Sequence, residues 1–177
     1  MKARLLGLLA VGLLAGPLVA NATPLAVDGS WNTANCNSVG SDCVGVAVGG
    51  FSNPGVPPWT FTGSALVTIV DAFLQAADQY ALYDFGNLVG ITSASASGRG
   101  SCGVDPVAAL ANPSCASGVF ALASGNHSLT IRLTNSEVGN SGMFFRAQAR
   151  AVPEPGTLAL LGLGLAGLGL SRRRKAA

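Results

Sequence analysis

The central stretch of this chain has no lysine, the whole chain has one histidine, and only a tenth of its 177 residues are charged. The formal net charge of +2 belongs to the ends, because Lys2 and Arg4 precede one apolar run and Arg172, Arg173, Arg174 and Lys175 follow another. Between residues 23 and 152, Arg99, Arg132, Arg146 and Arg150 stand against Asp28, Asp42, Asp71, Asp78, Asp84, Asp105 and Glu137; four minus seven gives −3. A nucleic-acid surface needs its positive charge on the folded part, so that function is excluded. With one histidine and no Cys-x-x-Cys pair, the ligand spacing of a zinc site is missing. Nothing resembles Gly-x-Ser-x-Gly, so a hydrolase nucleophile of that kind is absent too. Aromatic residues are scarce, and no helical periodicity of useful length runs through the middle.

What is present is concentrated first at the termini. Lys2 and Arg4 form a positive start, residues 5–19 an apolar run, and Ala20-Asn21-Ala22 puts small residues where a signal peptidase reads them. Gly16 and Pro17 break the helix just before that site and favour an extended chain there. Cleavage after Ala22 leaves Thr23 as the new N-terminus. An uncleaved anchor is the competing reading, and the shortness of the run argues against it. No twin arginine precedes the run, so ordinary unfolded export is expected.

The other end reads Val152-Pro153-Glu154-Pro155-Gly156, then an apolar run to Leu170, then Ser171-Arg172-Arg173-Arg174-Lys175. Proline on both sides of Glu154 prevents a helix from continuing through the triplet. Residues 156–170, as a helix, span about 23 Å, short of the ~30 Å hydrocarbon core, and glycines weaken them further. A weak anchor suits temporary retention. The basic cluster behind it stops transfer and keeps that end cytoplasmic, so the body faces outward.

This three-part tail resembles the PEP-CTERM sorting signal of Gram-negative bacteria, in which Pro-Glu-Pro, a short apolar helix and a basic cluster follow in order. The resemblance implies that exosortase, a membrane-embedded cysteine protease, recognises Pro153, Glu154 and Pro155 and removes the tail. It implies an inner-membrane-tethered precursor, then a cell-surface or extracellular product associated with exopolysaccharide and biofilm. Signal peptidase and exosortase are the processing partners expected. A GPI signal and a plain stop-transfer anchor are rivals; the first lacks a terminal basic cluster and the second needs a longer apolar run.

The middle carries short β-prone runs separated by Gly, Ser, Asn and Pro. The clearest is 127–135, where Leu129, Ile131 and Leu133 share one face. Others are 44–51, 64–70, 79–85, 88–93, 118–123 and 143–149. Gly86-Asn87 reads as a two-residue hairpin turn, and 124–126 as another connection. Residues 70–77 and 105–112 are candidate helical turns. The expected fold is all-β: an antiparallel β-sandwich (jelly-roll-like) over 23–151, flanked by a signal helix in 1–22 and a short membrane helix within the sorting signal of 152–177. Runs around residues 64–73, 78–93, 105–106 and 125–131 are also similar to an uncharacterised extracellular β-sandwich family, which implies a fold and no activity.

Four cysteines suit an oxidising compartment. Three pairings of Cys36, Cys43, Cys102 and Cys115 are possible; the two local ones are favoured, since each pair sits in its own loop region. Among candidate chemical groups, His127 opens a strand after a Gly-Asn turn, where a structural role is expected rather than catalysis. Asp71, Asp78, Asp84 and Asp105 are numerous enough for a Ca²⁺ site, yet their strand-end and turn positions suit backbone bonding. Trp31, Trp59, Tyr80 and Tyr83 would make a carbohydrate-binding module if several shared an exposed face; alternation separates Tyr80 from Tyr83, and Trp59 is expected to cover an edge. No enzyme, cofactor or resident metal is expected.

Overall fold

The structure, a computed structural model, describes residues 22–74, 77–98 and 100–150 together with Leu163. The signal-peptide residue Ala20, the triplet Pro153, Glu154 and Pro155, and the basic cluster from Arg172 to Lys175 lie outside the described residues, as do the expected signal and membrane helices. Among the described residues no helix is long and apolar enough to cross a membrane.

Among residues 22–150 as described, eleven strands and one short helix follow in order: β1 (Thr23–Pro24), β2 (Asn32–Cys36), β3 (Val44–Gly45), β4 (Trp59–Thr62), β5 (Ala65–Leu74), β6 (Gln79–Asp84), β7 (Asn87–Ile91), β8 (Ser101–Gly103), α1 (Pro106–Ala111), β9 (Ser117–Leu122), β10 (Asn126–Asn135) and β11 (Ser141–Ala149). They form two sheets. One runs β1-β4-β10-β6-β7; the other runs β3-β2-β11-β5, where β8 and β9 pair with different halves of β5. All pairs are antiparallel except β1 with β4.

The alternation in β10 works as its sequence predicts. Leu129, Ile131 and Leu133 are buried, and they join Trp59, Tyr80 and Leu82 of the same sheet to Val67, Ile69, Met143 and Phe145 of the other in one cluster. Each such fully buried large side chain contributes roughly 1.5–3 kcal/mol of transfer free energy. Trp59 does not cover an edge. It is fully buried, its ring lies 4.7 Å from that of Phe145, and its Nε1 donates to Gly55 O at 3.3 Å. The Trp-Thr-Phe-Thr alternation of β4, which buries Trp59 and Phe61, accounts for that placement.

Three expectations about the strands are corrected, and one strand was not foreseen. Residues 70–77 are not a helical turn: β5 continues to Leu74, with Asp71 opposite Met143 and Ala72 opposite Gly142 on β11. Of 44–51 only Val44–Gly45 pairs, because Gly49 and Gly50 both turn to positive φ (60° and 84°). The hairpin turn is Phe85-Gly86, not Gly86-Asn87, since Asp84 pairs with Asn87 and both turn residues have positive φ (47° and 76°). The polar Asn-Thr-Ala-Asn-Cys stretch is strand β2, its buried Asn32 donating to Phe145 O at 3.4 Å. The turn at 105–112 does form: Asp105 caps α1 by accepting from Val107 N at 2.8 Å.

Both sheets share one end. There β4 crosses to β5 through Gly63 and Ser64, β9 returns to β10 through residues 123–125, and the β6–β7 turn lies alongside. Arg150 leaves the fold at this exit end, its N–H donating to Ser64 O at 3.0 Å while Ser64 Oγ donates to Arg150 O at 2.8 Å. The first strand is fastened as well, with Thr23 N bonded to Pro58 O at 3.0 Å and Thr23 Oγ1 to Val56 O at 2.7 Å.

Candidate functional site

Two polar clusters lie at opposite ends of the strands. At the exit end His127, the first side chain of β10 to be buried, meets three acceptors. Its Nδ1 lies 2.8 Å from Asp84 Oδ2, and its Nε2 lies 2.9 Å from Ala123 O and 3.1 Å from Gly63 O. Carbonyls and a carboxylate only accept, so each ring nitrogen must carry a proton and the ring is an imidazolium. Burial pulls its pKa down; the bond to Asp84 and those to the two carbonyls outweigh that and raise it above the ordinary 6.5. Asp84 is completed by Ser128 N, which donates to its Oδ1 at 2.8 Å. His127 thus clasps both crossover turns to β6.

At the distal end four side chains form a series: Asp71, Tyr80, Ser141, Asp78. The Tyr80 hydroxyl lies 3.0 Å from Asp71 Oδ1 and within bonding distance of Ser141 Oγ, which in turn donates to Asp78 Oδ2. All four are buried. Three oxygen–oxygen contacts need three protons, and the two hydroxyls supply two, so one carboxyl must be protonated. Burial first, and then the charge of Asp78, push Asp71 up to about 7, which makes it the holder of that proton. The same burial pushes the Tyr80 hydroxyl upward. Cys102 Sγ lies 3.5 Å from Asp71 Oδ2, but a disulfide sulfur has no proton to give, so this is packing rather than bonding. Asp78 Oδ1 has no partner among the described residues. Beside it opens a cavity of about 170 Å³ lined by Asn35, Phe73, Ser141 and Asn140, with room for water.

The four aspartates proposed as a Ca²⁺ set therefore fall in three places. Asp71 and Asp78 share the distal network, Asp84 serves His127 and Asp105 caps α1. Among the described residues no three carboxylate, thiolate or imidazole groups gather as metal ligands. The aromatic platform is likewise not assembled. Trp59 and Tyr80 are fully buried, Trp31 lies under the Arg146 guanidinium at 4.5 Å, and Tyr83 under that of Arg132 at 5.2 Å. Cys36 pairs with Cys43 and Cys102 with Cys115, the local pairing. Sequence reasoning missed Ser141 and the His127–Asp84 contact. The only sequence signal for either was a polar residue at the start of a strand whose partner lies 43 or more positions away.

An all-β body of two sheets followed at once by a processing signal defines a class of exported, cut protein. Residues 151–175, 25 of the 177, match the PEP-CTERM protein-sorting motif, which begins at the residue after Arg150. That motif marks the chain as an exosortase substrate directed to the cell surface. No curated protein and no solved structure matches the chain.

Proposed function

We propose that this protein is a non-enzymatic surface or matrix component: a jelly-roll-like β-sandwich exported behind a signal peptide, tethered briefly in the inner membrane, cut near Pro153-Glu154-Pro155 and released to associate with exopolysaccharide. The observation that carries this reading is the sorting motif starting where the strand pairing stops. The sandwich is supported by the single core cluster built from both sheets. Cleavage after Ala22 is supported by Thr23 being, among the described residues, the first held in a sheet. His127 is engaged in holding the turns, and a sugar-stacking role loses the rings it required.

Mass spectrometry of fractions from cells with and without an active sorting protease tests the reading. In normal cells the mature protein should begin at Thr23 and lack everything from near Pro155 onward; without the protease, full tails should stay with the inner membrane. Extracellular protein still carrying Arg172 to Lys175 would refute it.

A further inference from the structure

The exit end has a position as well as a shape. Five residues separate Arg150 from Gly156, where the apolar run begins, and even a fully extended chain covers about 21 Å over those six steps. A tethered body is thus held with this end at, or within a few residues' reach of, the headgroup layer. Bonds run continuously from Arg150 through Ser64 and Gly63 to His127, and from there to Asp84, the neighbour of Phe85. Phe85 stands at the tip of its hairpin, 63% exposed, at φ 47°. Left-handed turn positions favour Gly, Asn or Asp, so a phenyl ring here costs conformational energy, and being mostly exposed it gains little packing from the body.

Charge is also unevenly divided. The exit half carries Arg146, Arg150 and the protonated His127 against Asp28 and Asp84, and three minus two gives +1. The distal half carries Arg132 against Asp42, Asp78, Asp105 and Glu137, and with Asp71 protonated one minus four gives −3 among the described residues. An anionic bilayer attracts the first half and repels the second.

We propose that in the tethered precursor the exit end rests on the lipid headgroups, with Phe85 seated at the membrane–water interface, where aromatic rings are favoured. The proposal rests on the tethering reading above. It assigns this end a partner, an anionic lipid surface, and fixes the body's orientation while the motif waits to be cut.

The test uses the full chain with its tail, reconstituted into vesicles of phosphatidylethanolamine and phosphatidylglycerol. All four native cysteines are in disulfides, so a single introduced cysteine takes an environment-sensitive label. One label goes on Ser124→Cys at the exit end and one on Leu74→Cys at the distal end. Leu74 is 59% exposed, so indiscriminate adsorption would bury it as readily as Phe85. Bromine-bearing lipids should quench the Ser124 label several-fold more than the Leu74 label. In a Phe85→Asn background, docking should fall about fivefold, as expected for half the burial of one aromatic ring. Equal quenching at both labels in protein that floats with the vesicles overturns the orientation and leaves the tether standing. Unchanged quenching in Phe85→Asn overturns the role of Phe85. Protein that does not float removes the tether and the proposal together.

Discussion

The two polar clusters solve one problem in opposite ways. At the exit end a buried cation is matched by Asp84 and by carbonyl oxygens, so every acceptor there has a proton facing it. At the distal end two buried carboxyls share one hydroxyl chain with no cation against them among the described residues. A buried ion pair with its hydrogen bonds complete is tolerated; two buried acids are tolerated only if one stays neutral. The exit cluster should therefore be held by charge, and the distal cluster by a proton.

The strongest way to break that contrast is at the distal end. A folded-state pKa raised for an acid stabilises the protonated form, so the contribution of Asp71 is complete below pH 3.8. It declines as pH rises and is gone above about 7. The displacement corresponds to roughly 4 kcal/mol. Urea unfolding from pH 4 to 7.5 should show a falling midpoint in the wild type and a much flatter one in Asp71→Asn. A profile indifferent to Asp71→Asn would mean that the network carries no shared proton. Tyr80→Phe should cost about 2–4 kcal/mol at pH 5, because the lost hydroxyl leaves buried oxygens of Asp71 and Ser141 unmatched.

The exit end should respond in a different pH window. His127 is raised above 6.5 in the folded state, so its contribution is complete below that value and disappears as pH climbs through the folded pKa. His127→Gln should cost about 1–3 kcal/mol at pH 6 by leaving Asp84 without its cation, and should remove the loss of stability on the alkaline side. NMR of the single histidine reads the same claim directly: a ring titrating at or below 6.5 would contradict the clasp. If Asp71→Asn flattens only the acid-to-neutral limb and His127→Gln only the alkaline limb, the two ends are independent, as groups far apart in a fold usually are.

Local signals were readable in advance and distant ones were not. Leu129, Ile131 and Leu133 announce a strand because a period of two is written in consecutive residues, and Asp105 before Pro106 announces a helix start for the same reason. The local disulfides follow from short spacings. Strand β2 is polar in sequence and owes its burial to β11, more than a hundred residues later, so no window of its own residues discloses it. Asp71 looked like a turn residue and lies within β5, where the Tyr80 hydroxyl meets its carboxyl from the other sheet. The sorting motif was legible in full, since its three parts are contiguous.

The smallest effect separates the ends most sharply. Phe85 and Gly86 form a turn in which both residues have positive φ, a geometry that glycine and asparagine enter at little cost and phenylalanine does not. Phe85 is mostly exposed, so its removal forfeits little core packing. Phe85→Asn should therefore raise the stability of the soluble body by about 0.5–1 kcal/mol, seen as a small rise in Tm. A phenyl ring retained only for packing would give the reverse sign. Stabilisation of the free body together with weaker docking of the tethered one would show that the turn is kept strained for the surface it meets, and not for the fold it closes.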